Sequence, residues 1–228
     1  MQSRFAAALA LSLPVLAPAL AQAGPPLICW PISIGGAPSL PWGNGWHEAR
    51  KDYDLTRLAT DTVTLLGPRT PVLEHMETLR RAAVYAATDD AAAGRLFEAL
   101  RARLAPAGDA RAQVLARFDL GYEAEAYRQA LFAARYMSAG SPAHGIEVGE
   151  DGYQLVHEAL AVLRPNPELE YAAALVSLDH KNARPLAQKH FQIATQEAAG
   201  DSDLAQTLAA HARLWGDAAP KGGPVASR

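Results

Sequence analysis

The side chains with the most chemical reach early in the chain are Cys29, Trp30, Trp42, Trp46 and His47, in the block CWPISIGGAPSLPWGNGWH. A thiolate and an imidazole suit copper or zinc. Cys29, His47 and one further histidine therefore make a chemically sensible metal set. The indole rings can line a surface for a peptide, a sugar or another protein. The competing expectation is structural. Trp, Ile and Leu in an extended arm pack readily onto a neighbouring face, and a lone cysteine is commonly a buried small apolar residue.

Elsewhere the spacings that catalysis needs are missing. His47-Glu48 and His157-Glu158 lack the second histidine four residues on that a zinc helix requires. With one cysteine there is no internal disulfide, no C-x-x-C and no haem-attachment motif. No phosphate-cradling glycine loop or nucleophile elbow occurs, so no cofactor and no catalytic residue is expected. His75 would need tertiary help to meet Asp89 or Asp90. His180 reads as a solvated turn residue, and His157, His190 and His211 as hydrogen-bonded packing residues. The pairs Asp52/Asp54, Glu123/Glu125 and Asp201/Asp203 stand two apart, a spacing that does not share a helix face. Capping and solvent exposure account for them.

The elements that must position these groups begin with an export leader. Residues 1–23 read MQSRFAAALALSLPVLAPALAQA: Arg4, an apolar stretch from Phe5 to Leu16, then Ala21-Gln22-Ala23. Cleavage is expected before Gly24, giving a periplasmic or extracellular protein. Ile28 before Cys29 argues against lipid attachment. No later segment is long and apolar enough to span a membrane. The 21 basic and 24 acidic side chains give a net charge of −3 without a basic stripe. Nucleic-acid binding and a basic membrane helix are therefore not expected.

Residues 24–46 carry too much proline and glycine for a long helix and are expected to form an extended arm. From residue 47 the apolar spacing turns helical. Asn44 or Gly45 caps a helix running to about Leu66, and Thr70-Pro71 opens the next. Asp89 or Asp90 precedes a stripe of Ala93, Leu96, Phe97, Leu100 and Leu104. Asp109 opens a long helix to about Met137, with Gly121 as a place to kink or divide it. After a loop come helices at about 150–164, 167–180, 184–199 and 202–215, and a polar tail at 216–228 expected to be disordered. The helical domain thus spans 47–215, in halves 47–137 and 150–215.

The segment 153–200 resembles a tetratricopeptide repeat. With Pro165 as the closing proline of one repeat, the next starts at Glu168. Tyr171 then takes the large aromatic place of its first helix, and Ala187, Phe191 and Ala194 take the small-large-small places of its second. Leu175 and Ala199 depart from the pattern, and Tyr153, His157 and Leu160 fill the preceding half-repeat. The resemblance implies a concave surface for protein segments and no catalytic residues. The combined expectation is an all-α fold of stacked antiparallel helical hairpins with an extended N-terminal arm. It would serve as a non-enzymatic interaction or scaffold module, binding protein or peptide through Tyr171 and the tryptophans. The alternatives are a small-ligand or metal-binding protein using Cys29 and the arm, or an enzyme of unrecognised type.

Overall fold

The computed structural model describes residues 24–43, 48–105, 109–137, 144–200 and 202–218. Trp46, His47, the leader and most of the expected tail lie outside these. The described chain is all-α: a 3₁₀ turn Leu55–Arg57, then α1 Leu58–Leu65, α2 Val72–Ala86, α3 Asp90–Ala102, α4 Ala110–Met137, α5 Gly152–Leu163, α6 Pro167–Leu178, α7 Arg184–Glu197, α8 Asp203–His211 and a 3₁₀ segment Ala212–Ala218. Consecutive helices pair in the second half (α4 with α5, α6 with α7), whereas in the first half α1 packs chiefly on α3, and α2 on α4. One apolar core runs from Leu27 in the arm to Trp215 near the end and joins the two halves.

Short polar side chains start the helices by accepting orphan backbone N–H groups. Asp89, Asp151, Asn166 and Ser202 each accept from the N–H three residues on. The stripe of α3 is buried as far as Leu100, while Leu104 lies past the helix end and is exposed.

Two expectations are corrected. Residues 48–54 are not helical. Gly43 and Glu48 are joined backbone to backbone, Trp42 and Ala49 form an isolated antiparallel bridge, and the Tyr85 hydroxyl accepts the Arg50 N–H at 3.0 Å. Asp54 accepts from both the N–H and the hydroxyl of Thr56, so helical structure starts there instead. Gly121 does not divide α4, which runs unbroken from Ala110 to Met137. It is a crossing point: a Cβ on Gly121 would lie 2.6 Å from Leu155 Cβ, and one on Gly152 would lie 2.4 Å from the Gly121 carbonyl oxygen. Two glycines let α4 and α5 approach closer than any side chain allows.

The arm lies across the helices, and because it makes no sheet its backbone groups need other partners. Helix side chains supply them. Gln129 Oε1 accepts the Leu27 N–H at 2.7 Å, and Glu77 Oε2 accepts that of Ile32 at 3.1 Å. Arg80 donates to the Ile28 carbonyl at 3.1 Å, Arg81 to that of Leu40 at 2.7 Å, and His211 to that of Pro31 at 2.9 Å. Thr207 Oγ1 accepts the Ser33 N–H at 2.9 Å.

Candidate functional site

A cavity of about 910 Å³ opens where the arm meets α4, the α6–α7 turn and the C-terminal 3₁₀ segment. Its floor is one stripe of α4. Glu125, Arg128, Gln129 and Phe132 recur at i, i+3, i+4 and i+7, so they share a face. The other two faces of α4 are buried and largely apolar, through Phe118, Tyr122, Tyr127 and their neighbours, with Asp119 and Glu123 among them. On this third face Gln129 is buried under the arm, whereas Arg128 is exposed and Phe132 is 54% exposed.

Each wall is fixed by a local device. Trp30 is held edge-on against His211, with ring centres 5.5 Å apart. The α6–α7 turn reverses at Asn182, whose φ of 66° is one that asparagine tolerates; it presents Asp179, His180 and Arg184. On the remaining side, Trp215 stacks on Phe191 at 4.3 Å and so sets Arg213 and Leu214 at the rim.

The charges in this cavity are unequally satisfied. Glu125 accepts from Arg128 at 2.7 Å and from the Tyr153 N–H at 3.1 Å, and lies 3.8 Å from His180. Arg128 also donates to the Glu150 carbonyl. Gln129 bridges the arm to Asp179, at 2.5 Å on the latter side. Burial, then the charge of Glu125, pushes the Asp179 carboxyl above its ordinary range. Arg184 and Arg213 are exposed, and neither forms an ion pair with a described carboxylate. The Arg213 guanidinium lies 5.9 Å from the Trp30 ring centre. Trp30 is 7% exposed, and its indole N–H has no described acceptor.

The residues singled out from sequence are dispersed. Trp30 is a wall of this cavity. Trp42 is half-buried elsewhere, with the Arg80 guanidinium 4.9 Å from its ring centre and an edge contact to Tyr85. Tyr171 is fully buried, and its hydroxyl donates to His211 Nδ1. Tyr171 reaches the arm through His211. Cys29 is buried among apolar groups, which pushes its thiol up to about 11, although Arg80 opposes this. A protonated thiol is a poor ligand and nucleophile. Gly24 closes over it, since a Cβ there would lie 2.3 Å from its sulfur. Among the described residues no cluster of three or more His, Cys, Asp or Glu is placed to hold a metal.

His75, His157 and His190 are packing groups, whereas His144 is exposed. His75 meets Asp119 at 2.6 Å, not Asp89 or Asp90, while Arg103 holds the second Asp119 oxygen. His190 pairs with Glu170 at 2.5 Å. His157 bonds the fully buried Ser177 hydroxyl at 3.1 Å, and burial followed by the charges of His190 and His180 depresses it to about 4. His180 is held between Glu125 and the ring of Tyr153. Glu123 corrects the expectation of solvated carboxylates. It is fully buried, neither oxygen has a described partner, and burial, then the charge of Asp119, raises its carboxyl well above the usual range.

Sequence reasoning missed the α4 stripe. Its signal was present: Arg128 and Phe132 break the Ala-rich pattern of a long helix at a spacing that excludes both buried faces. No family model matches the chain, and neither a curated protein nor a solved structure matches it.

Proposed function

We propose that the protein is an exported, non-enzymatic interaction module whose cavity beside α4 receives an extended segment of another protein. One observation carries this reading. A concave site of ligand-binding size joins a rigid indole and an exposed phenyl ring to two arginines, Arg184 and Arg213, that have no ion-pair partner among the described residues. Pockets that recognise ligands combine an apolar lining with a few placed polar groups. The α6–α7 hairpin at its edge carries the residues that resemble a tetratricopeptide repeat, a family of peptide-binding scaffolds. Nothing in the cavity pairs a nucleophile with a base. The Ser177–His157 pair is elsewhere, and its hydroxyl is sealed.

The test is selection of displayed random peptides on the mature protein, with Phe132→Glu as comparison. Peptides enriched on the native chain and lost on the variant support the reading. Failure to enrich any peptide overturns it. Export is checked separately by the intact mass of protein recovered outside the cytoplasm, which is expected to begin at Gly24.

A further inference from the structure

We infer that the segment taken by this cavity is acidic, its carboxylates meeting Arg184 and Arg213 while an adjacent apolar side chain lies against Phe132 and Trp30. The inference rests on the reading that the cavity binds peptide, and it names the class of peptide.

Charge complementarity carries the argument. Three arginines line the cavity, but Arg128 is committed to Glu125 and to backbone carbonyls. Of the two acids, Glu125 is held by Arg128, and Asp179 is exposed and accepts from the neutral Gln129 amide, so the lining carries three cationic side chains against two anionic ones. Arg184 and Arg213 are left exposed at the rim without a described carboxylate partner. They stand out in a chain whose net charge is −3. A planar guanidinium presents a fork that matches a carboxylate, and it is desolvated at less cost than an ammonium. A second hollow, about 560 Å³ between α2, α6 and α8, is lined by Glu74, Glu168, Glu197 and Asp203. It repels the segment that the first cavity attracts, so field and shape select the same face.

The experiment is fluorescence anisotropy on the full mature protein, using three nonapeptides that carry a neutral dye and alternate Leu with Glu, Gln or Lys. The Glu peptide is expected to bind at least about tenfold tighter than either other peptide, and to weaken as salt rises. The double variant Arg184→Gln, Arg213→Gln is expected to remove that preference without changing the weaker Gln-peptide affinity. Arg117→Gln, an exposed change elsewhere on α4, is expected to keep it. Equal binding of the Glu and Gln peptides overturns this inference and leaves the peptide reading standing. No binding by any of the three overturns both. Displacement of the Glu peptide by an equal concentration of succinate shows that a free carboxylate suffices and overturns the assignment to peptide.

Discussion

At the scale of single residues, the buried ionisable groups oppose one another in their pH response. His211 is neutral in the fold because its Nδ1 accepts from Tyr171 while Nε2 donates to Pro31. Burial is the main cause that depresses it to about 4, with the Pro31 bond partly opposing. The unfolded chain therefore takes up this proton first. Stability is full above the unfolded value near 6.5 and falls as pH drops from there towards 4, by on the order of 3 kcal/mol. Thermal melts across this window should show the slope, and His211→Gln should flatten it. Glu123 has the opposite sign. Its folded carboxyl stays protonated well above the usual range, so the unfolded chain releases the proton first and stability declines as pH rises past about 4.5. Glu123→Gln should raise Tm at neutral pH by a few degrees, as scanning calorimetry would show, with little effect at pH 4. The spacing of Glu123 and Glu125 already implied divergence, because residues two apart on a helix point to nearly opposite sides. Which side was core depended on α2 and α5, and that is tertiary information. The burial of Cys29 followed from its apolar neighbours and was open to reading.

Among the elements, the close crossing of α4 and α5 is the most demanding contact. Gly121→Ala would drive a methyl group into Leu155 and the Gly152 carbonyl. Overpacking of this kind costs about 1–3 kcal/mol, and urea denaturation should show the midpoint falling without a change of slope. Ala at Gly94, where nothing lies within reach of a Cβ, is the matched control and should be neutral or stabilising. Helix existence was legible because capping and periodicity are local: Asp89, Asp109 and the proline breaks mark α3, α4, α6 and α7 within a few residues of their ends. The stretch 48–54 was misread for a non-local reason. Its fate is decided by Gly43 and Tyr85, which reach it from the arm and from α2. Gly121 was noticed but not as a crossing point, since a helical glycine looks the same in sequence whether it interrupts its own helix or admits another.

For the molecule as a whole, the arm is the feature that turns a helical bundle into a protein with a site. Its clamp is ionic and buried. Glu77 accepts from Arg80 at 2.7 and 2.8 Å and from Arg81 at 2.7 Å. Burial by itself would push the Glu77 carboxyl up, but the hydrogen bonds and charges of these arginines outweigh it and hold the group below the usual range. The all-α class was legible in the alanine-rich composition and spacing. The cavity was not, because its walls come from four separate stretches of chain. Two of the arm's fastenings, the acceptor for Ser33 and the donor to Pro31, lie 174 and 180 residues further on. That separation dictates an order of assembly. In a chain made from its N-terminus, the arm is made before the helices that hold it, and these two fastenings close only once α8 exists. A chain cut short before Asp203 should retain most of its helical signal while the Trp30 emission shifts to longer wavelength. A closed arm at Trp30 and Pro31 thus reports that α8 has been made, and a copy lacking it would leave the indole without the His211 ring that covers its edge.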